Sequence, residues 1–473
     1  MKINLKTIMI VFMFLIIETV SYILNYNLLF MTTFSLAICF MLFYVKKIEK
    51  HFAIVFFIMM YVFFLMSSEF VQEVFHVVNL RQVTDAANNH SNLVLLLGII
   101  FLLFGYQFHF NKKVDGEDKS NIQKQDTTRR ISKTFFFAFY PIYILPAIEK
   151  MIYVSKNSYL DYYINYASRL PFFIKIFEPV APIAFAIFLA TSPSKKDCKL
   201  PFVLYLLYNF IILLSGKRYY AISAIIFVVT YCLIRNNDKK SDEVWISKKV
   251  LFSLIATVPF VCVGLFLFSN IRLNISSDDS LGFGEMLLSF FNRVGESNKV
   301  IKYGYMFKDQ MPHNNLYSIG GIIDYLKYNS FTKLFTGSTI TRGQNIQYAL
   351  LGNNYGTTLT YIALPSYFIN GNGLGSCYLA ELYHDFGYFG VIIGSIIYGI
   401  IIRNIFSISN KSISSKAIAF YAYVALLRTP RDSFTCFLEE ILNFKFFFFF
   451  LLIILLSNYE YKRKINNKVI ENE

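Results

Sequence analysis

The sequence predicts an all-α membrane protein: a polytopic bundle of about twelve transmembrane helices with one large, partly helical extracytoplasmic loop. Hydrophobic residues make up 55% of the 473 residues and charged residues only 16%, whereas a soluble domain is roughly a quarter charged. The apolar residues also fall into blocks of about 15 to 22, which as helices can cross a hydrocarbon core of about 30 Å. Isolated blocks of about 10 to 14 would instead indicate buried helices of a soluble core.

The apolar blocks give the predicted spans in order. The first block follows only Met1–Lys6 and has no small-residue cleavage site after it, so we expect a retained span and not a signal peptide. The predicted spans lie near residues 7–24, 28–45, 52–67, 92–110, 134–148, 171–190, 200–215, 219–235, 250–269, 386–403, 417–430 and 440–457.

Lysine and arginine in the short connections predict the orientation of the bundle. Cationic connections alternate along the chain with less charged ones, which is the pattern expected when the cationic ones face the cytoplasm. Both termini are then cytoplasmic. Membrane orientation accounts for the formal net charge of +15, so we expect no nucleic-acid partner.

One long connection divides the predicted organisation into three parts. Residues 1–269 hold nine spans with short loops, residues 270–376 form the large outer loop, and residues 377–473 hold three spans and a cytoplasmic tail. The loop is rich in Tyr, Phe, Ile and Leu and has no low-complexity run, so we expect it to be folded.

Three local patterns predict structure within or beside this loop. An amphipathic helix at the membrane surface is predicted by Phe283, Leu287, Phe290 and Val294, which recur at helical spacing. A second helix is predicted over Gly321–Tyr328. The Pro, Asn and Gly residues of Pro365–Gly375 predict a tight, irregular turn.

Seven cationic residues lie on the predicted outer side, where surplus positive charge is disfavoured. A charge near hydrocarbon costs a few kcal/mol and usually has an anionic partner. Each one alone could reach the interface or pair with a nearby carboxylate, but several guanidinium groups together would bind phosphate oxygens bidentately. The predicted ligand is a lipid head group or a lipid-linked diphosphate, and the seven residues are Lys217, Arg218, Arg272, Arg293, Arg342, Arg428 and Arg431.

A second group of candidate residues is Glu381, His384 and Asp385, in the run ELYHDFG. On a helix, Glu381 shares a face with His384 or Asp385, which places a carboxylate beside an imidazole. Such a pair could take a proton from a sugar hydroxyl. The alternative is a hydrogen-bond network that holds the loop to the bundle.

Other features predict no metal and no cofactor. The six cysteines are scattered and form no C-x-x-C pair, and Asp278 and Asp279 lack a supporting motif. No G-x-x-x-x-G-K-[ST] sequence is present, so we do not expect ATP to drive this protein directly. The glycines after ELYHDF should let the tenth span pack closely on a neighbour; they are Gly387, Gly390, Gly394 and Gly399.

The order of these features resembles the Wzy-type O-antigen or oligosaccharide repeat-unit polymerases of bacterial inner membranes. It consists of many spans, SGKRYY in a short outer hairpin, a long late outer loop, and then GNGLGSCYLAELYHDFGYFGVIIG. The resemblance covers the whole chain as topology and about 25 residues as motif. It is most specific at the glycine-rich turn and at Ser376, Glu381, Tyr383, Phe386, Gly387 and Gly390.

The resemblance implies a glycosyltransferase of the inner membrane. It would move a growing glycan from undecaprenyl diphosphate to the next lipid-linked repeat unit on the outer face. The outer cations would bind the diphosphate, and Glu381 or His384 would activate the acceptor hydroxyl. The implied partners are the undecaprenyl-diphosphate-linked oligosaccharide, the bilayer, and a chain-length regulator and flippase of the same pathway.

Two other classes of membrane protein handle related lipids. A lipid-linked oligosaccharide flippase also has about a dozen spans, but it needs no outer loop of this size and holds its cations in a central cavity. An O-antigen ligase or a GT-C glycosyltransferase using a polyprenyl-phosphate sugar is the other alternative. The GT-C class usually carries acidic residues in its first outer loop, which here is only LNYN.

Overall fold

The computed structural model shows a helical protein, as the sequence predicts. In the described part of the chain every regular element is a helix. The residues described are 16, 19, 20, 23, 26–77, 83–110, 119–237, 243–272, 281–312, 315–329, 332, 340–406 and 412–470.

The helices before the large loop are mostly long and apolar. They are α1 Leu28–Val45, α2 Ile48–Tyr61, α3 Ser67–Phe75, α4 Asp85–Gly105, α5 Lys119–Lys156, α6 Tyr159–Asn165, α7 Phe172–Phe177, α8 Val180–Ala190, α9 Lys195–Leu214, α10 Arg218–Asn236 and α11 Lys248–Arg272. A π-helical turn, Val62–Met66, joins α2 to α3.

The large loop carries shorter helices, and long helices return after it. The loop helices are α12 Phe283–Gly295, α13 Lys299–Met306, α14 Gly320–Tyr328, α15 Ile346–Leu351, α16 Tyr355–Ala363 and α17 Pro365–Ile369. The last four helices are α18 Tyr378–Asn404, α19 Ile413–Arg428, α20 Cys436–Ile441 and α21 Phe444–Ile470.

Ten helical segments of the described chain are long and apolar enough to cross a membrane. They lie in α1, in α2 continued by α3, in α4, in α5, in α7 continued by α8, and in α9, α10, α11, α18 and α21. Of the other two predicted spans, residues 7–24 lie almost entirely outside the described residues. Residues 417–430 correspond to α19, a helix of 16 residues.

The chain forms two compact units. Unit 1 comprises Met1–His109, Ile246–Asn404 and Leu427–Cys436, and unit 2 comprises Phe110–Trp245, Ile405–Leu426 and Phe437–Glu473. The three-part organisation along the chain stays a prediction.

Within unit 1, α4 and α18 pack with their backbones in contact. A Cβ atom on Gly399 would lie 2.1 Å from the carbonyl oxygen of Leu102, and one on Gly105 would lie 2.2 Å from that of Ile396. Close packing is therefore confirmed at Gly399. For Gly387 the packing prediction is wrong, because a Cβ there would meet no atom within 4 Å. This glycine breaks α18 with φ +62° and ψ −155°, a conformation that L-residues rarely adopt.

The described residues of the large loop belong to unit 1 and pack within it. The predicted helix over Phe283–Val294 is confirmed as α12, with Phe290 and Val294 buried. The hydroxyl of Ser67 in α3 donates to the carbonyl of Phe291 at 2.8 Å, and that of Ser68 contacts Asn292 Oδ1 at 2.7 Å. These bonds hold α12 against the end of the span formed by α2 and α3.

The other two loop predictions have different outcomes. The helix predicted over Gly321–Tyr328 is confirmed as α14. The irregular turn predicted over Pro365–Gly375 is wrong in its first half, because Pro365 opens α17 at a position where its fixed φ suits a helix. The turn begins after α17 and contains the positive-φ residues Gly371 and Gly375.

In unit 2, α9 and α10 form the predicted hairpin, whose turn is Ser215–Lys217. The Tyr219 hydroxyl at the start of α10 donates to the carbonyl of Val424 in α19 at 2.6 Å. Phe136 of α5 packs on Phe185 of α8, with ring centroids 5.4 Å apart.

Candidate functional site

The structure brings the ELYHDFG run together with the LLRTPRD segment in unit 1. The Glu381 carboxylate, near the start of α18, is 1% exposed. One oxygen accepts from the Ser376 hydroxyl at 2.6 Å, and the other accepts from the backbone N–H of Phe434 at 2.8 Å. Phe434 lies shortly after Arg428 and Arg431, the two arginines of LLRTPRD. Its hydrogen bond to Glu381 therefore holds the segment that carries them beside the start of α18.

Arg428 and Arg431 flank a short 3-10 turn, Thr429–Arg431. Arg428 ends α19, and its guanidinium Nε forms an ion pair with the Asp432 carboxylate; the two side chains are 21% and 33% exposed. This ion pair matches the simpler alternative for Arg428, in which an outer arginine pairs with a nearby carboxylate.

The guanidinium of Arg431 lies over the ring of Phe64, 5.6 Å from its centroid. Phe64 belongs to the π-helical turn Val62–Met66, and such turns occur frequently at functional sites. The side chain of Arg431 is therefore positioned by an aromatic contact.

His384 and Asp385 connect α18 to the large loop. His384 Nδ1 lies 3.2 Å from Asp385 Oδ1, and the two side chains are 7% and 0% exposed. Asp385 also accepts from the backbone N–H groups of Tyr317 at 3.2 Å and Ser318 at 2.7 Å. The carboxylate found beside the imidazole is thus that of Asp385. These contacts match the loop-anchoring alternative for this pair.

Arg293 is a cation of α12 that is exposed as a whole residue, with its guanidinium partly covered by α11. Its Nη1 donates to Asn270 Oδ1 at 2.5 Å, and its guanidinium lies over the Phe266 ring, 4.6 Å from the centroid. Burial lowers the pKa of Arg293, against the opposing effect of Glu296. These contacts join α12 to the end of α11.

Two other predicted cations of unit 1 lie elsewhere. Arg272 is the last residue of α11, and its side chain lies outside the described part. Arg342 is exposed and lies beside the Tyr348 hydroxyl, whose pKa is raised mainly by burial and also by Asp324, while Arg342 lowers it.

Lys217 and Arg218 belong to unit 2. Lys217 is in the turn between α9 and α10, and its ammonium lies 5.3 Å from the centroid of the Tyr162 ring. Arg218 is the first residue of α10.

A polar cluster not foreseen from the sequence lies where α3, α4 and α13 meet in unit 1. Lys302 of α13 forms a 2.5 Å ion pair with Glu69 of α3. Lys299 pairs with Glu296, and Asn298 Nδ2 donates to Glu69 Oε2 at 3.3 Å. One sequence feature could have indicated this cluster: the spacing of Glu296, Lys299 and Lys302 places all three on one helical face.

In the ranges given above, no group of three or more His, Cys, Asp and Glu side chains is placed to hold a metal ion. The cysteines there are free thiols. The chemistry available at the site consists of guanidinium groups, carboxylates, a serine hydroxyl and an imidazole.

Comparison with known proteins identifies a family. The family model described as O-antigen polysaccharide polymerase Wzy matches residues 3–464. No curated protein and no solved structure matches significantly.

Proposed function

Because the chain belongs to the O-antigen polysaccharide polymerase Wzy family, we propose that it joins lipid-linked repeat units at the outer face of the bacterial inner membrane. The growing glycan leaves undecaprenyl diphosphate and is transferred to the terminal sugar of the next lipid-linked unit. The family and the ten apolar helical segments support an integral membrane enzyme of polysaccharide biosynthesis. Both termini are cytoplasmic in this proposal.

The observation that carries the proposed site is the hydrogen bond from Phe434 to Glu381. It fixes the segment bearing Arg428 and Arg431 beside the start of α18. In the reaction, the bond between the anomeric carbon and the diphosphate oxygen breaks, and the diphosphate keeps the electron pair. Arg428 and Arg431 donate hydrogen bonds to the phosphate oxygens and stabilise the charge of the leaving group.

The acceptor hydroxyl must lose a proton as its oxygen bonds to the anomeric carbon. Glu381 is buried, but its partner Ser376 is only half-buried. We assign the proton route to this pair: the acceptor hydroxyl gives its proton to Ser376 Oγ, and the Ser376 proton passes to Glu381. The 2.6 Å hydrogen bond between the two side chains supports this route. His384 is the alternative base, oriented by Asp385.

The remaining cations have different support for a role in diphosphate binding. Arg293 is committed to Asn270 and Phe266, which favours a structural role. Arg342 is exposed beside Tyr348 and is proposed to contact the glycan. Lys217 and Arg218 remain proposed diphosphate ligands because their hairpin is predicted to face outward, and so does Arg272, which ends α11.

The proposed function is tested with the purified full-length protein in liposomes supplied with single lipid-linked repeat units. We expect products with two or more units on one carrier. A flippase would move the unit across the bilayer and leave its length unchanged. Transport without lengthening would overturn the polymerase proposal.

A further inference from the structure

Two cavities of unit 1 lie side by side along α13. The first has a volume of about 270 Å³ and includes Lys299 and Lys302 in its lining. The second has a volume of about 450 Å³ and is lined in part by Tyr305 and Met306, which follow Lys302 by three and four positions on the same helix. Val83 lines the first cavity, and its neighbour Thr84 lines the second. The two cavities together are called the α13 groove below.

We propose that the α13 groove binds the oligosaccharide of the lipid-linked repeat unit, with neighbouring sugars in the two cavities. This inference rests on the proposed function and names the part of the substrate that these residues recognise. It assigns the sugars to residues other than those proposed to bind the diphosphate.

The charge of the first cavity favours a neutral ligand. Its ionisable residues are two lysines and two glutamates, so their formal charges cancel. Each ammonium is already paired with a carboxylate, Lys302 with Glu69 and Lys299 with Glu296. A diphosphate site would need surplus positive charge, whereas sugar hydroxyls need donors and acceptors together.

The polar groups of the first cavity are held in place by hydrogen bonds within its wall. Gln72 Nε2 donates to the Ser68 hydroxyl at 2.8 Å, and Asn298 Nδ2 donates to Glu69 at 3.3 Å. The Ser91 hydroxyl of α4 donates to Asn298 from the other side. A wall ordered in this way loses little entropy when a ligand binds, which favours recognition of hydroxyl groups.

The second cavity adds aromatic surface. The His90 ring is 4.4 Å from the Tyr305 ring and 4.1 Å from the Tyr383 ring, centroid to centroid. The Lys308 ammonium lies 5.4 Å from the centroid of Tyr383. Tyrosine combines an apolar ring face with a polar hydroxyl, which suits a sugar ring with C–H and O–H groups.

The second cavity of the α13 groove is lined by a residue of α18, the helix that also carries Glu381. Tyr383 lines the second cavity and lies two residues after Glu381 in α18. A prenyl chain is a poor occupant of the first cavity, because most of its lining residues are polar or charged. The oligosaccharide is the part of the substrate that matches both cavities.

The test measures binding separately from polymerisation. The probe is the free repeat-unit oligosaccharide. It is released by mild acid from lipid-linked repeat units extracted from the cells that make the glycan, and it is titrated into the full-length protein in nanodiscs. Gln72→Ala should weaken binding about tenfold, equivalent to about 1.4 kcal/mol. The double variant Glu69→Gln/Lys302→Met should weaken it at least as much, and it leaves no unpaired buried charge. Gln347→Ala, at an exposed position of α15, is the matched control and should bind normally.

The outcomes separate this inference from the proposed function. Two results would overturn the groove assignment even where polymerisation is normal. In the first, the wild-type protein does not bind the oligosaccharide. In the second, the Gln72 variant and the double variant bind it like wild type. Oligosaccharide binding that depends on these residues, in a protein that never lengthens lipid-linked units, would support the groove and contradict the polymerase. A thermal unfolding curve for each variant shows that it is folded.

Discussion

Glu381 and Phe434 are joined by a 2.8 Å hydrogen bond between a buried carboxylate and a backbone N–H. The two residues lie 53 positions apart in the chain. This bond, with the ion pair between Arg428 and Asp432, builds one site from two runs of sequence.

Glu381→Gln separates proton transfer from positioning. The glutamine carbonyl can still accept from the Phe434 N–H, and its amide can donate to Ser376 Oγ, so the hydrogen-bond geometry is kept. We expect polymerisation to be lost in the purified enzyme while the thermal unfolding midpoint stays near that of wild type. Full activity of Glu381→Gln would exclude proton transfer to this residue and leave it a positioning role.

Ser376→Ala tests the serine in the proposed proton route. The change leaves the bond from Phe434 to Glu381 intact, so the protein should remain folded. We expect chain growth to fall by about 100-fold, within the range for loss of a positioned proton-transfer group. The rate of chain growth at saturating lipid-linked substrate is the measurement, and a wild-type rate would show that Ser376 takes no part.

Arg428→Ala removes a proposed diphosphate ligand. Loss of one positioned donor to a developing charge typically costs about 100-fold or more in rate. We expect that loss in reconstituted polymerisation, and only partial recovery with Arg428→Lys, because an ammonium cannot bind bidentately. Arg463→Ala is the control, since Arg463 lies on α21 with its side chain 63% exposed. Equal activity of the Arg428 and Arg463 variants would argue against the assignment.

Asp385→Ala should destabilise the attachment of the large loop. The substitution leaves the buried N–H groups of Tyr317 and Ser318 without their carboxylate acceptor, which costs about 1–3 kcal/mol for each buried group left unsatisfied. Thermal unfolding should therefore begin at a lower temperature. Asp126→Ala removes an exposed ion pair with Arg129 and should change stability little. An unchanged unfolding midpoint for Asp385→Ala would contradict the anchoring role.

Gly387→Ala tests the break in α18. Both Gly387 and Gly284 have open space for a methyl group, but only Gly387 has positive φ, at +62°. A non-glycine residue in such a conformation costs about 1–3 kcal/mol. We expect a lower unfolding midpoint for Gly387→Ala and no such decrease for Gly284→Ala, which adds a better helix former to α12. Equal midpoints would show that the break is not needed.

Local patterns predicted much of the fold and little of the site. Apolar blocks gave the positions of the long helices, because burial in lipid needs a continuous run of apolar residues. Helical spacing also located α12, and the break at Gly320 and Gly321 located the start of α14. The broken geometry at Gly387 follows from the tertiary path of α18, and a glycine in an apolar span is equally consistent with close packing of two helices.

Contacts between distant residues account for what the local patterns missed. Nothing in the spacing of ELYHDFG indicates that Glu381 accepts from Phe434. The same holds for Lys302 and Glu69, which are 233 residues apart. Glu69 lies just beyond the span predicted at residues 52–67, whereas the helix continues through α3 to Phe75. Extending that span would have drawn attention to an ionisable residue at the end of a transmembrane helix.

The most direct test follows the carrier during formation of each new linkage. A preformed unlabelled glycan on undecaprenyl diphosphate is mixed with isotopically labelled single units and the purified wild-type protein. If the glycan is transferred from its diphosphate to the next unit, one undecaprenyl diphosphate is released per linkage and the labelled sugars lie next to the lipid. Label at the opposite end of the glycan, or lengthening without release of the unlabelled chain's carrier, would contradict transfer from the diphosphate.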